Sequence, residues 1–123
     1  MDLIYEGKAK KLFTTENPNE LRMVFKDDAT AFNGEKKSTF ENKGRVNKKL
    51  SLLLYELLEK EGVATHYSRD DGDESLIVKR VEIVQIEVVV RNIVAGSLKK
   101  RTGLPEGQRL RQPIIECYYK SDE

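Results

Sequence analysis

The chain has little of what builds metal and redox sites: among 123 residues there is one cysteine, Cys117, and one histidine, His66. A lone cysteine closes no intrachain disulfide. A lone histidine supplies neither a metal cluster nor a catalytic triad, so His66 is read as structural. Cys117 stands among apolar and aromatic residues and reads as a packed side chain. No sign of charge dominates either: 22 basic residues face 21 acidic ones, for a net charge of +1. That leaves no long-range field to gather nucleic acid or an anionic membrane. No apolar run approaches the ~20 residues that span a bilayer. The start, MDLIYEGKAK, lacks the apolar stretch of a signal peptide. Together these absences point to a cytoplasmic protein with no nucleic-acid or membrane partner. The P-loop pattern G-x-x-x-x-G-K-[ST] is missing as well. The acidic run RDDGDE at residues 69–74 lacks the spacing and terminal glutamate of an EF-hand and reads as a hairpin turn.

What is present suits one folded domain of ordinary size. Hydrophobic residues make up 38% and charged residues 35%, which allows a modest core under a charged surface. Two short strands are expected in LIYEG and KAKKLF, joined near Gly7, and a third in LRMVFK. In that third strand Leu21, Met23 and Phe25 alternate with Arg22, Val24 and Lys26. DDATAFNGEKK reads as a polar loop with Asn33-Gly34 as its turn signal. Val46, Leu50, Leu53, Leu54, Leu57 and Leu58 recur at helical spacing and predict a helix over residues 44 to 61. Lys48, Lys49, Glu56 and Glu59 fall on its opposite face, and Gly62 is a plausible C-cap. Strands are expected again in ATHYSRD, in SLIVKRVEIV and QIEVVVRN (two strands, or one continuing through a bend), and in PIIECYYK, with a short helix at AGSLKKR. The order predicts an α+β fold, an antiparallel sheet with one long helix packed on it.

Two stretches carry chemistry. In YEGKAKKLF, Gly7 permits a tight bend and close approach of backbone to a ligand. On a strand, Lys8, Lys10 and Leu12 would share one face, ammonium groups for a phosphate and an apolar cover for a base. A solvated basic edge strand fits that pattern as well. In EVVVRNIVAGSLKKR, a valine-rich strand expected to be buried runs into Arg91 and Asn92 and then into a helix start. Gly96 and the free N–H groups there would admit an anion, Ser97 could donate its hydroxyl, and Arg91 offers a bidentate cation. The alternative makes Ser97 only an N-cap and pairs Arg91 with an acidic neighbour such as Glu87. The basic runs LKKRTG and RLRQP read as solvated faces.

In this order and at this separation, these stretches resemble the SAICAR synthetase (phosphoribosylaminoimidazole-succinocarboxamide synthase) family. The matching segments are LIYEGKAKKLF, ATAFNGEKK, the KG and VN that open the helix, LIVKRVEIVQIEVVVRNIVAGSLKKRTGL and PIIECYYKSD. The resemblance covers essentially all of the chain. It implies an ATP-dependent carbon–nitrogen ligase of purine biosynthesis, using ATP and Mg²⁺. Its small-molecule substrates would be carboxyaminoimidazole ribonucleotide and L-aspartate, and a homo-oligomer stays open.

The resemblance further implies a kinase N-lobe-like nucleotide-covering sheet over residues 1–80. Residues 81–123 would be a hinge and the start of a central α+β domain that binds ATP and substrate. Gly7, Lys8, Lys10 and Leu12 would cover the nucleotide. Lys79, Glu82 and Ile83 would form the adenine connection, and Lys120 would lie near the phosphates. Arg91 and Ser97, with Gly96, would hold the substrate's ribose phosphate, and Glu87 would shape that site. Asn33 and Gly34 would form a substrate-side loop, although family members carry aspartate where Asn33 stands. The family continues for about as much chain again, with DFK-EFG-like and DE-SPD-like segments that bring the magnesium carboxylates. The expectation is therefore an N-terminal portion with no metal ligands and unknown catalytic residues, inactive by itself. A nucleotide-binding or regulatory module without catalysis is the competing reading. A small RNA-binding domain built on SLKKR and RLR is a weaker one, since no aromatic-studded basic sheet accompanies them.

Overall fold

The structure, a computed structural model, describes residues 1–31 and 36–120. The chain divides into two compact units, Met1–Val81 and Glu82–Glu123. The first contains β1 (Leu3–Glu6), β2 (Lys10–Thr14), β3 (Glu20–Phe25), β4 (Asp28–Ala31), β5 (Lys36–Thr39), α1 (Lys43–Lys60), β6 (Tyr67–Asp70) and β7 (Ser75–Lys79). The second contains β8 (Ile86–Ile93), α2 (Gly96–Thr102) and β9 (Arg109–Tyr119). The fold is α+β with antiparallel sheets and one long helix, as the sequence predicts.

In the first unit five strands pair antiparallel in the order β1-β2-β3-β7-β6. The register sets Leu21 opposite Val78 and Met23 opposite Leu76, so the alternating residues of β3 share one face with those of β7. Leu21, Met23, Phe25, Leu76 and Val78 form the core, and Leu12, Leu52, Tyr55 and Tyr67 pack against it. RDDGDE makes the β6–β7 hairpin turn, with Gly72 at a positive φ of 124°.

Helix α1 packs on β3, β6 and β7, but not by the face its leucines predict. Gly44 and Lys48 are buried, and Asn47, Ser51, Leu52 and Tyr55 are half-buried, whereas Val46, Leu50, Leu53, Leu54, Leu57 and Leu58 are exposed. The first turn explains the rotation. The Gly44 amide donates to Asp27 Oδ1 at 2.8 Å, and Lys43 Nζ donates to the Asp28 carbonyl at 2.7 Å. Asp27 thus does the work of an N-cap, which Asn42, at a φ of 65°, does not perform with its own side chain. These bonds turn the small face, Gly44 and Ser51, toward the sheet. Lys48, expected on the solvent side, is only 5% exposed and pairs with Asp70 at 2.5 Å. A buried cation is tolerable because it is paired.

Other expectations need correction. The segment read as a polar loop contains a β4–β5 hairpin, with Asp28 opposite Thr39 and Ala31 opposite Lys36. Asn33 and Gly34 lie outside the described residues. SLIVKRVEIV and QIEVVVRN are two strands in different sheets. The valine run is not buried: among the described residues β8 pairs only with β9, in a two-stranded ribbon. One ribbon face carries Ile86, Val88, Val90, Ile115, Cys117 and Tyr119, all exposed. Cys117 is therefore an exposed free thiol, not a packed one. Among its described residues the second unit buries Val94 and Leu98, at the ribbon's end and on α2. Among the described residues no helix is long and apolar enough to cross a membrane.

Candidate functional site

The predicted residues fall into both units. In the first, Gly7 sits in the β1–β2 turn, where its amide donates to the Lys10 carbonyl at 2.8 Å. That bond closes the turn over Lys8 and Ala9, so Lys8 is not on the strand and does not share a face with Lys10 and Leu12. A Cβ at Gly7 would meet Tyr5 Oη at 3.1 Å, so the space above this glycine is lined by the tyrosine. Lys26 Nζ braces the turn, donating to Glu6 at 2.7 Å and to the Gly7 carbonyl at 3.2 Å. Lys10 lies over the Phe25 ring, 5.5 Å from its centroid. Leu12, opposite Met23, gives its side chain to the core rather than to an open surface. Lys79 ends β7, and its amide donates to the His66 carbonyl. His66 has the structural setting expected of it: Nε2 lies 3.0 Å from the Tyr55 hydroxyl. A separate depression on this unit, lined by Asp2, Thr14, Arg22, Arg69 and Asp71, contains none of the predicted nucleotide residues.

The second unit gathers a denser constellation. The β8–β9 register sets Glu87 opposite Tyr118, Val89 opposite Glu116 and Arg91 opposite Ile114. Glu87, Arg91, Glu116 and Tyr118 therefore share the ribbon face opposite the apolar one. Arg91 Nε donates to Glu116 Oε2 at 2.9 Å, and its Nη2 reaches Ser97 Oγ at 2.8 Å and the Tyr118 hydroxyl at 3.4 Å. Arg101 Nη2 donates to Glu116 Oε1 at 2.7 Å and lies 2.9 Å from the Tyr118 hydroxyl. The Tyr118 hydroxyl itself donates to Glu116 Oε2. With Tyr118, Arg101 and Arg91 all donating to it, the Glu116 carboxylate has its pKa lowered to about 2. It stays ionised throughout the neutral range. Arg91 and Arg101 are held above the ordinary arginine value, Arg91 by Tyr118 and then Glu116, Arg101 by Glu116.

Arg91 does pair with an acidic neighbour, as the alternative reading has it, and its guanidinium also reaches Ser97. Its acidic partner is Glu116 on the neighbouring strand, not Glu87. Ser97 is not the N-cap of α2, a place taken by Ala95, and its hydroxyl accepts from Arg91 instead. Gly96 takes a φ of 55°, and a Cβ there would meet nothing within 4 Å. Two guanidiniums against one carboxylate leave the cluster with excess positive charge beside this open glycine. Such an arrangement can bind a phosphate with charge-assisted hydrogen bonds. Elsewhere in the unit, Glu82, Ile83 and Glu87 are exposed, and the Lys120 amide donates to the Gln85 carbonyl at 3.0 Å.

Sequence reasoning missed Glu116, Arg101 and Tyr118. Glu116 and Tyr118 are two residues apart on a strand, which marks a shared face, but only the register shows that Arg91 lies on it. Among the described residues no group of three or more His, Cys, Asp or Glu side chains could hold a metal ion, so the donors present do not fit magnesium.

Comparison with known proteins gives the chain its context. A sequence profile of the SAICAR synthetase family matches residues 3–123. The phosphoribosylaminoimidazole-succinocarboxamide synthase of Akkermansia muciniphila is 56% identical over 122 residues, covering 99% of this chain and 52% of that protein. A solved SAICAR synthetase in complex with ADP is 52% identical, with a TM-score of 0.90 over 95% of this chain and 50% of its own. The Ehrlichia chaffeensis phosphoribosylaminoimidazole-succinocarboxamide synthase is 42% identical, with a TM-score of 0.93 over 98% of this chain and 51% of its own. The chain spans about half the length of the curated relatives it matches.

Proposed function

The chain belongs to the SAICAR synthetase family, and from that premise we propose that it serves an ATP-dependent carbon–nitrogen ligase of purine biosynthesis. The reaction joins the carboxylate of carboxyaminoimidazole ribonucleotide to the amino group of L-aspartate, with release of ADP and phosphate. A carboxylate is a poor electrophile, so ATP activates it as an acyl phosphate, which the aspartate amine then attacks. Residues 1–80 form the nucleotide-covering part, with Gly7, Lys8 and Lys10 toward the phosphates and Leu12 supporting that strand from the core. Lys79, Glu82 and Ile83 contact the adenine, and Lys120 serves the phosphates. The relative solved with ADP supports a nucleotide as ligand. Asn33 and Gly34 belong to the substrate side, as do Glu87, Arg91, Gly96 and Ser97.

The observation that carries this reading is the Arg91–Ser97 pair, held by Glu116 with Arg101 beside it. Anchoring of Arg91 Nε by a carboxylate fixes the guanidinium plane. A 5′-phosphate can then meet Nη groups and the serine hydroxyl together.

Equilibrium binding of carboxyaminoimidazole ribonucleotide, compared with its dephosphorylated nucleoside, tests this. The nucleoside is expected to bind at least ~10-fold more weakly, the scale of a charged hydrogen bond or two. Arg91→Ala should abolish the difference. Equal affinities for nucleotide and nucleoside in the unsubstituted chain would refute the assignment.

A further inference from the structure

Just past the end of β3, three consecutive residues each hold a different segment of the first unit. Asp27 receives the Gly44 amide on its carboxylate and the Phe40 amide on its carbonyl. The Asp28 carbonyl receives Lys43 Nζ. Lys26 reaches the other way, to the β1–β2 turn. Its amide donates to the Ala9 carbonyl at 2.8 Å. Its Nζ lies 2.7 Å from Glu6 Oε2, 3.2 Å from the Gly7 carbonyl oxygen and 3.1 Å from Asp28 Oδ2. An ammonium has three donors, and here three acceptors surround it. The side chain is only 13% exposed. Lys26 therefore keeps no proton for a ligand, whereas Lys8, in the turn itself, is exposed.

The charges depend on one another. Glu6, and then Asp28, hold the Lys26 ammonium above the ordinary lysine value against the cost of burial. The Lys26 hydrogen bond in turn holds the Glu6 carboxyl below the ordinary glutamate value, although the neighbouring charge of Asp28 pushes it up. Without the ammonium, two like charges would stand unpaired at the base of the turn. They would repel each other and also any phosphate brought to Gly7 and Lys8. The same strand end supports Lys10, whose ammonium lies over the Phe25 ring.

We propose that Lys26 is a positioning residue for the nucleotide: it ties the β1–β2 turn to the start of β4 and cancels the two carboxylates beneath it, so that the turn can receive phosphates. This role rests on the assignment of Gly7, Lys8 and Lys10 to the nucleotide. Lys26 acts through Glu6, Gly7 and Ala9 and touches no phosphate itself. Its contribution is confined to the charged end of the ligand. A nucleoside, which presents no phosphate to the turn, gains nothing from it.

Equilibrium binding of ADP and of adenosine to the 123-residue chain tests this. The unsubstituted chain should bind ADP more tightly than adenosine. Lys26→Met should weaken ADP by about 10-fold, the scale of a lost charge-assisted interaction, and leave adenosine within about 2-fold. Lys26→Arg keeps the cation between the two carboxylates and should restore ADP binding to within about 3-fold. Circular dichroism melts show which variants fold; Lys26→Gln, polar and uncharged, replaces the methionine variant if that one does not, with the same expectation. Hydrogen exchange at the Gly7 amide, which donates to Lys10, should quicken in the uncharged variant while the β7 amides keep their protection. ADP affinity unchanged by loss of the charge, or falling in step with that of adenosine, would overturn the proposal and leave the nucleotide assignment standing. Absence of ADP binding by the unsubstituted chain would overturn that assignment, and the role of Lys26 with it.

Discussion

His66 is the side chain whose protonation is most visibly tied to folding. Burial, and then the charge of Lys10, push its pKa below the ordinary 6.5, and its Nε2 meets the Tyr55 hydroxyl. The folded state therefore favours neutral imidazole, while the unfolded chain takes up a proton near pH 6.5. The stability due to this site is complete above that pH and is lost as pH falls through the lowered folded value. His66→Gln keeps a hydrogen-bonding side chain and cannot titrate. Its Tm should fall less between pH 7 and 5 than that of the unsubstituted chain, the carboxylates contributing equally to both. Parallel Tm curves over this interval would remove His66 from the acid response. The same scale shows how far a sequence can be read for a site. Arg91, Gly96 and Ser97 could be singled out because a cation, a glycine and a hydroxyl stand together at a helix start. Glu116 could not, because it is 25 residues from Arg91 and meets it only through the β8–β9 pairing.

At the scale of the element, Gly44 tests how α1 meets the sheet. In an open helix a glycine-to-alanine change stabilises by up to ~1 kcal/mol. Here a Cβ would overlap the Phe25 carbonyl oxygen and stand 3.0 Å from its carbon, both backbone atoms that cannot swing aside. Overpacking against a fixed wall costs about 1–3 kcal/mol, so steric cost wins and Gly44→Ala should destabilise. Urea unfolding decides the sign; a stabilised variant would mean that the helix does not approach β3 so closely. Strand identity was legible here because period-two alternation is local: Leu21, Met23 and Phe25 announce a buried face wherever the strand ends up. The helix was legible as a helix for the same reason. Its orientation was not, because two arcs of α1 can pack, one rich in leucine and one small and polar with Leu52 and Tyr55. The choice was made by Asp27 and Asp28, which bind the first turn from outside the helix. The β4–β5 hairpin escaped notice for a related reason: its short polar strands carry no apolar alternation.

At the scale of the whole molecule, the two units differ in what protects their hydrogen bonds. In the first, β3 and β7 are central strands of a five-stranded sheet, with Leu76, Ile77 and Val78 buried and α1 across one face. Opening an amide there means dismantling that core. In the second, among the described residues, β8 and β9 have only each other, their apolar face is exposed, and Val94 and Leu98 are the buried side chains. Two-stranded ribbons are marginal in water. Their hydrogen bonds open locally at a free energy well under that of global unfolding. Native-state hydrogen exchange of this chain should therefore find β8 and β9 amides at least on the order of 100-fold less protected than those of β3 and β7, a gap of about 3 kcal/mol. Equal protection of the two sets of strands would show that the face of Val88, Val90 and Ile115 is covered in solution, and that the exposed ribbon is not the state the chain occupies.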